Sequence, residues 1–220
     1  MSSARDGRDK HDFPMGKTRK GLRYVPRDEV YYKAKKEGYV ARSALKLEEL
    51  DKKFKLFKKG MKVLDLGCAP GSWLQYSARK VGPEGYLFGI DLDPVRVDLK
   101  NVETAQGDLY EFTAADPRIA AHIPFDFVQS DAMSKTTGIP ESDCARSVAL
   151  VEHGMGIARA GGLKIGGTFV AKVFEGPGFT EFYTEFKKYF AKAVVHRPEA
   201  TRQGSRELYV IGTEFRERKG

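Results

Sequence analysis

The stretch Val63-Leu64-Asp65-Leu66-Gly67-Cys68-Ala69-Pro70-Gly71-Ser72-Trp73 decides the fold of this chain. It begins as an apolar run, passes through a turn with two glycines and continues into a helical pattern that extends to about Val81. A strand that leads through a glycine-rich turn into a helix is the ligand-binding arrangement of doubly wound α/β folds. Glycines allow the backbone to approach a ligand where a Cβ would collide with it.

The glycine spacing indicates which ligand to expect. Position 69 is Ala and a Pro follows it, so the turn lacks the G-x-G-x-x-G spacing of dinucleotide binders. The loop therefore predicts a nucleoside-type cofactor rather than a clamped pyrophosphate. A tight strand-to-helix turn without any ligand is the alternative interpretation.

Strand and helix patterns alternate along the rest of the chain. Short runs bounded by turn residues predict seven strands, at 62–66, 86–91, 102–106, 125–130, 168–173, 193–196 and 207–211. Apolar residues at helical spacing predict helices at 41–58, 72–81, 113–122 (interrupted by Pro117), 141–160 and 179–190. The alternation predicts a Rossmann-like α/β fold, with a mostly parallel seven-stranded sheet and helices on both faces.

Four polar features follow the predicted strands at the ends where ligands bind in such sheets. They are the glycine loop after the first strand, Asp91 after the second, Asp108 after the third and Asp131 after the fourth. Asp91 lies 20 residues beyond Gly71, where an acidic side chain typically accepts hydrogen bonds from ribose hydroxyls. A turn or helix-capping role before Pro94 is the alternative for Asp91. The convergence of the four features predicts one binding site.

Length and composition fit one globular domain, with 220 residues of which 41% are hydrophobic. No apolar run approaches the ~20 residues that span a bilayer, and the first residues carry no apolar signal core. The two cysteines, Cys68 and Cys144, have no metal-ligand spacing, and a small residue such as Cys68 suits packing in the glycine loop. We therefore expect a reduced, cytoplasmic protein with no metal site and no membrane partner.

The positive charge is concentrated near the start of the chain. Residues 1–62 hold 19 Lys and Arg against 9 Asp and Glu, whereas the other 158 residues hold 19 against 21. This asymmetry predicts a polyanionic partner, most plausibly nucleic acid, although a solvated basic tail is the alternative. We expect residues 1–23 to form a flexible basic arm and residues 24–215 to form a single domain.

Aromatic residues are interleaved with basic ones just after this arm. The tyrosines are Tyr24, Tyr31, Tyr32 and Tyr39, and the basic residues among them are Arg27, Lys33, Lys35 and Lys36. Such mixtures suit RNA, because exposed bases stack on aromatic rings and phosphates attract cations. The alternative is that the tyrosines pack an N-terminal helix onto the core.

The stretch from Asp65 to Trp73 resembles the cofactor loop of FtsJ/RrmJ-type methyltransferases, which use S-adenosylmethionine to methylate ribose 2′-hydroxyls of RNA. The resemblance covers roughly residues 24–213 and implies a class I methyltransferase fold. The family carries a Lys-Asp-Lys-Glu tetrad, and its local contexts match this chain in order. The matching residues are Lys46 in Arg42–Leu47, Asp131 after Ser130, Lys172 in Val170–Phe174 and Glu207 in Ser205–Tyr209.

The resemblance also implies the cofactor contacts. It assigns Gly71 and Trp73 to the methionine side of S-adenosylmethionine, Asp91 to the ribose and Asp108 to the adenine amine. Asp65 is expected to orient the loop, and Gly67 and Asp131 complete the cofactor-binding set. Trp73 could instead be a core aromatic, an alternative that the sequence leaves open.

Methyl transfer needs a ribose hydroxyl to give up its proton, and the tetrad offers two ways to assist. Lys172 is the candidate general base, which requires the neutral amine. In the competing account both lysines stay charged, orient the hydroxyl and stabilise developing alkoxide charge. Asp131 is expected to fix Lys172, and Glu207 is expected to hold Lys46 or the substrate ribose. Rim salt bridges without a catalytic role are the alternative for all four.

One segment departs from the family pattern. After the catalytic Asp the family usually continues Met-Ala-Pro-Asn and then Ser-Gly, whereas this chain reads Asp131-Ala132-Met133-Ser134-Lys135-Thr136-Thr137-Gly138. The Pro is missing and a Lys is added, which bears on substrate contacts near residues 133–137 rather than on catalysis. The glycine loop also carries Gly71-Ser72 where the family has a Gly-Gly pair.

The resemblance implies an RNA ribose 2′-O-methyltransferase whose target is a uridine of 23S ribosomal RNA in the large subunit, and we expect it to act as a monomer. A tRNA or cap ribose methyltransferase is the first alternative, and a non-catalytic RNA-binding assembly factor is the second. The intact tetrad argues against the second. Base methylation is disfavoured, because no Asn/Asp-Pro-Pro-aromatic motif follows the fourth strand and Cys144 falls inside a predicted helix.

Overall fold

The computed structural model describes residues 27–201 and 204–216. In this part of the chain seven strands form one sheet, in the order β3-β2-β1-β4-β5-β7-β6. The strands are β1 Lys62–Leu66, β2 Tyr86–Asp91, β3 Val102–Gln106, β4 Phe125–Ser130, β5 Leu163–Phe174, β6 Phe190–His196 and β7 Glu207–Phe215. The basic arm expected at 1–23, together with Tyr24, lies outside the described residues.

Six α-helices connect or flank these strands in the described ranges. They are α1 Arg27–Lys36, α2 Ala44–Phe54, α3 Ser72–Val81, α4 Pro117–Ala120, α5 Pro140–Ile157 and α6 Phe179–Phe186. Short 3₁₀ turns occur at Leu109–Glu111 and Lys187–Tyr189, and a π-type turn at Ala158–Gly162 follows α5. No helix of the described residues is both long and apolar enough to cross a membrane.

The order of the strands positions the site. Strand β1 pairs in parallel with β2 on one side and with β4 on the other, so the winding of the chain reverses at β1. In open α/β sheets ligands bind at this reversal, outside the carboxyl ends of the strands. Strand β7 runs antiparallel between β5 and β6 and closes the sheet. The mostly parallel, seven-stranded α/β sheet expected from the sequence is confirmed.

Each face of the sheet is covered by helices over its own apolar cluster. On one face α2 and α3 pack onto the sheet through residues such as Leu47, Leu74 and Phe127. On the other face α5 and α6 pack through residues such as Val151 and Phe186. The sheet is therefore buried on both sides, as parallel sheets require.

Several element boundaries differ from the sequence expectation. Strand β5 begins at Leu163 rather than at residue 168, and β7 extends to Phe215 rather than to residue 211. Pro117 begins α4 rather than interrupting a helix, because proline suits a first helical position and Asp116 caps it by accepting from Arg118 N at 2.9 Å. Helix α2 ends at Phe54, where the following Lys55 is left-handed. Phe190 starts β6 although its spacing continues the pattern of the preceding helix, because it packs on Phe186 from the strand, with ring centroids 4.8 Å apart.

Candidate active site

A cleft of about 530 Å³ opens at the carboxyl edge of the sheet, where the winding reverses. Its walls come from the loop after β1, the loop after β2, the segment after β4 and one residue of β5. The lining residues are Gly67, Ala69, Pro70, Asp91, Asp93, Pro94, Arg96, Asp131, Ala132, Met133 and Lys172. The cleft thus gathers the glycine loop, Asp91 and Asp131, three of the four features that the sequence predicted to converge.

The two glycines of the loop are required by the backbone and by close neighbours. Gly67 has φ +80°, and a Cβ there would lie 2.5 Å from Cβ of Ala132. Gly71 has φ +110°, and a Cβ there would lie 2.6 Å from Cγ2 of Val97. A side chain at either position would be strained by the left-handed backbone and would displace its neighbours, so both positions favour glycine. Cys68, between them, is buried, and burial raises the pKa of its thiol, which fits the packing role expected from the sequence.

Asp91 holds the glycine loop and faces the cleft. Its Oδ2 accepts from Ala69 N at 2.8 Å, and its Oδ1 accepts from Asp93 N at 2.9 Å. A carboxylate has about four acceptor positions, so Asp91 keeps capacity for ligand hydroxyls. The turn role and the ribose role considered for Asp91 are compatible in this geometry.

Asp108 lies at the end of β3 and caps the following 3₁₀ turn, with Oδ1 accepting from Tyr110 N at 3.1 Å. It lies outside the lining that the described residues give the cleft. Its expected contact with an adenine amine stays a prediction.

Trp73 is a core aromatic, which is one of the two alternatives left open by the sequence. Its side chain is 2% exposed, and its Nε1 donates to the carbonyl oxygen of Ser43 at 3.0 Å. Its ring stacks on Tyr209 with centroids 5.8 Å apart. The indole is thereby committed to the packing of α2 and α3, and it does not line the cleft.

Asp65 is fully buried beneath the loop rather than bonded to it. Neither of its carboxylate oxygens has a hydrogen-bond partner among the described residues. Burial raises its pKa to about 8; the neighbouring Gln129 amide opposes the rise, although it does not reach hydrogen-bond geometry. The loop contact expected of Asp65 is instead made by Asp91.

The four tetrad residues form two ion pairs, one of which, between Asp131 and Lys172, lines the cleft. Nζ of Lys172 lies 3.1 Å from Oδ1 of Asp131 and donates to the Asp131 carbonyl oxygen at 2.5 Å. Nζ of Lys46, from α2, contacts Oε1 of Glu207, from β7. All four side chains are largely buried, so both ion pairs are partly withdrawn from water. Lys46 and Glu207 are 161 positions apart in the chain, and the fold brings them together as the tetrad predicts.

Tyr209 joins the two ion pairs, and sequence reasoning missed it. Its hydroxyl lies 2.8 Å from Oδ1 of Asp131 and 3.0 Å from Oε1 of Glu207. Burial, with the charges of both carboxylates, raises the pKa of Tyr209 well above its usual value. A signal was present, because Glu207 and Tyr209 are two residues apart on a strand and therefore share a face.

Asp143 anchors the segment that departs from the family pattern. Its carboxylate accepts from Thr137 N at 2.7 Å, Thr137 Oγ1 at 2.8 Å and Gly138 N at 3.2 Å. These bonds lower the pKa of Asp143, with the Thr137 amide as the largest cause. The segment is thus tied to the first turn of α5, although its sequence lacks the family's proline.

Comparison with known proteins identifies the family. The model of the FtsJ-like methyltransferases matches residues 39–215. The chain belongs to this family. Ribosomal RNA large subunit methyltransferase E of Bdellovibrio bacteriovorus is 45% identical over 193 residues, which are 87% of this chain and 98% of that protein. The enzyme of the same name from Desulfatibacillum aliphaticivorans is 45% identical over 197 residues, covering 89% of this chain and 94% of that one.

A solved structure agrees with the sequence matches. A Plasmodium falciparum protein described as a ribosomal RNA methyltransferase superposes with a TM-score of 0.70 at 27% identity, over 80% of this chain and 98% of that one. The resemblance noted from Asp65–Trp73 and the tetrad is thereby confirmed. This FtsJ-like chain is a methyltransferase, and its reaction requires a methyl donor.

Proposed function

We propose that this FtsJ-like protein transfers the methyl group of S-adenosylmethionine to a ribose 2′-hydroxyl of RNA, at a uridine of 23S ribosomal RNA in the large subunit. The tetrad carries the proposal, because Lys46, Asp131, Lys172 and Glu207 form one hydrogen-bonded group that lines the cleft through Asp131 and Lys172. The names of the relatives, which are large-subunit ribosomal RNA methyltransferases, support this choice of RNA.

The cleft suits S-adenosylmethionine. The glycine loop lines the cleft through Gly67, Ala69 and Pro70, and Asp91 beside it offers acceptors for two ribose hydroxyls. We assign Asp131 to the boundary between cofactor and substrate, because it lines the cleft and belongs to the tetrad. Asp108 would meet the adenine amine. When bound, the cofactor supplies an electrophilic methyl group on a sulfonium.

The tetrad orients the ribose and handles its proton. The hydroxyl oxygen would form a bond to the methyl carbon as the bond from that carbon to sulfur breaks, so that S-adenosylhomocysteine leaves and the hydroxyl releases its proton. Lys172 would accept that proton, and Asp131, 3.1 Å away, would stabilise the ammonium that forms. Lys46, held by Glu207, would place positive charge near the developing alkoxide.

The first helix offers a surface for RNA. Tyr31 and Tyr32 of α1 are 53% and 62% exposed, which supports stacking on bases rather than packing onto the core. Lys35 and Lys36 are exposed beside them. Lys33 lies 3.7 Å from Glu48, two positions along α2 from Lys46, so α1 adjoins the helix that contributes to the tetrad. We propose that this surface binds RNA in the cytoplasm, with the protein acting as a monomer.

Transfer of labelled methyl from S-adenosylmethionine tests the proposal. Wild type, Lys172→Ala and Lys164→Ala would be compared on large ribosomal subunits, naked ribosomal RNA and bulk tRNA, with the labelled nucleotide mapped. Lys164 is a matched control, because it lies on the same strand and pairs with Asp126 at 3.1 Å far from the cleft. We expect label at one ribose of the large subunit, lost only in Lys172→Ala.

Two other outcomes would overturn parts of the proposal. Label confined to tRNA would retain the chemistry and replace the substrate. No label with any RNA, while S-adenosylmethionine still binds, would favour the non-catalytic assembly factor.

A further inference from the structure

We propose that Tyr209 is a positioning residue that links the two halves of the tetrad through its single hydroxyl. The expected effect of Tyr209 on methyl transfer rests on the proposed function, whereas its expected effect on Lys46 and Lys172 rests on the geometry alone. It concerns a residue outside the Lys-Asp-Lys-Glu set.

The hydroxyl completes a continuous chain of polar contacts. Lys46 contacts Glu207, Glu207 lies 3.0 Å from the Tyr209 oxygen, that oxygen lies 2.8 Å from Asp131, and Asp131 pairs with Lys172. Without the hydroxyl the two ion pairs would share no hydrogen bond. Tyr209 is also fully buried, so water does not replace it from the open side.

The phenol has one proton to donate and two carboxylates to receive it. It can therefore satisfy Asp131 or Glu207 strongly at any moment, but not both. When Lys172 takes a proton, Asp131 gains a fully charged donor, and the O–H bond of Tyr209 can turn toward Glu207 while the ring stays in place. Protonation at one lysine is thereby felt at the carboxylate that holds Lys46.

The ring is held so that the hydroxyl stays between the carboxylates. Strand β7 pairs Tyr209 directly with Lys172 of β5. Trp73 stacks on the ring at an interplanar angle of 28°, and its indole is tied to Ser43 at the start of α2. The core fixes the position of the Tyr209 ring. Removing the hydroxyl alone therefore changes the hydrogen bonds to the two carboxylates more than the packing of the ring.

Tyr76 provides a matched comparison. It is a buried tyrosine of the same apolar cluster, and its hydroxyl donates to the buried carboxylate of Asp51 at 2.7 Å. Asp51 has no place in the tetrad. Tyr209→Phe and Tyr76→Phe therefore each remove one hydroxyl bonded to a carboxylate from one cluster, and only the first touches the tetrad.

Steady-state methyl transfer tests the link. For Tyr209→Phe we expect kcat to fall by about tenfold to a hundredfold, the loss typical of one hydrogen bond to a charged group, with the KM for S-adenosylmethionine unchanged. Tyr76→Phe should melt at a lower temperature and keep the wild-type kcat.

A second readout needs no RNA. In protein carrying Cε-labelled lysine, the NMR signals of both Lys46 and Lys172 should shift in Tyr209→Phe and stay in place in Tyr76→Phe. Unchanged lysine signals with a wild-type kcat would make Tyr209 a packing residue and overturn the link. Shifted lysine signals in a protein that methylates no RNA would keep the link and reject the proposed function.

Discussion

Lys172 can act either as a base or as a fixed positive charge, and one substitution separates the two. Arginine keeps a cation beside Asp131 but does not lose its proton in proteins. If Lys172 takes the ribose proton, Lys172→Arg and Lys172→Ala should both lower kcat by at least about a hundredfold. S-adenosylmethionine binding, measured by calorimetry, should stay near wild type in both. Substantial activity in Lys172→Arg would instead establish the electrostatic account.

Asp65 should make stability depend on pH in an unusual direction. Burial raises its folded-state pKa to about 8, whereas an unfolded Asp titrates near 3.9. The folded state therefore binds the proton more tightly, and the free energy of unfolding falls as the pH rises from about 4 to about 8. Asp65→Asn mimics the neutral form, so it should raise the melting temperature more at pH 8 than at about pH 5.

Asp51→Asn is the matched control for this measurement. Asp51 is also buried, but bonds from Lys80, Tyr76 and the Phe57 amide outweigh desolvation and lower its pKa. Ionised Asp51 therefore adds to the free energy of unfolding above the pKa that it has in the unfolded chain. This contribution is lost as the pH falls through the pKa that it has in the folded protein. Asp51→Asn should therefore destabilise the protein most near neutral pH. A melting temperature of Asp65→Asn that differs from wild type by the same amount at every pH would contradict the role given to Asp65.

At the residue scale the sequence yields the charged members of the site and misses those defined by burial. Lys46, Asp131, Lys172 and Glu207 could be assigned from their local motifs. The roles of Trp73 and Tyr209 could not be assigned in this way, because they depend on which face of helix α3 packs against which face of strand β7. Tyrosine is also an ordinary strand residue, so its presence in β7 carries no signal. The carboxylate that the buried hydroxyl contacts distinguishes the tyrosines: Tyr209 contacts Asp131 and Glu207, whereas Tyr76 contacts Asp51.

The glycine loop is the element whose backbone decides binding. Gly67→Ala must adopt a left-handed φ and also place a Cβ 2.5 Å from Ala132. Gly60→Ala meets a similar left-handed φ, +76°, with no atom within 4 Å. Gly60→Ala should therefore lower the free energy of unfolding only by the backbone strain of about 1 kcal/mol, whereas Gly67→Ala should also shift the segment after β4.

Calorimetry with S-adenosylmethionine and thermal melting would separate these effects. We expect Gly60→Ala to bind the cofactor like wild type and to melt slightly earlier. Gly67→Ala should bind it at least about tenfold more weakly, since a displaced loop lines the cleft directly. Equal affinities in the two variants would show that the loop tolerates a side chain at position 67.

The bounds of a helix or strand could be predicted wherever a turn residue stands directly beside it. Strands β1 to β4 match their expected bounds, because glycine, aspartate or proline stands beside them and their apolar runs are short. Periodicity alone was misleading at Phe190, which continues a helical spacing yet lies in β6. The antiparallel placement of β7 between β5 and β6 is a tertiary choice that no local pattern encodes.

For the whole molecule, the basic excess of residues 1–62 is divided between separate regions. In the described part of the chain, Lys35 and Lys36 lie on α1, near the helix that contributes Lys46. Four other lysines of residues 1–62 line a second cleft of about 890 Å³ at the amino edge of the sheet, opposite the glycine loop; they are Lys53, Lys55, Lys58 and Lys59, and Lys164 and Lys192 join them there. Net charge alone therefore does not say which region meets RNA.

Paired charge reversals distinguish a local RNA contact from a general attraction. Lys35→Glu with Lys36→Glu and Lys55→Glu with Lys58→Glu change the net charge equally, and all four side chains are exposed without ion-pair partners among the described residues. Lysines bound to phosphate release counterions, so removing one such lysine lowers the salt dependence of binding by about one unit of slope. We expect the α1 pair to weaken binding to ribosomal RNA and to flatten its salt dependence by about two units.

The pair in the second cleft should change affinity only slightly at physiological salt, because screening limits charge effects to about 8 Å. Filter binding at several salt concentrations measures both quantities, and S-adenosylmethionine binding checks that each variant is folded. Equal losses of affinity in the two pairs would mean that RNA senses the overall field rather than α1. A larger loss of affinity from the cleft pair would place the RNA surface at the opposite edge of the sheet. The exposed tyrosines of α1 would then not be explained by stacking on RNA bases.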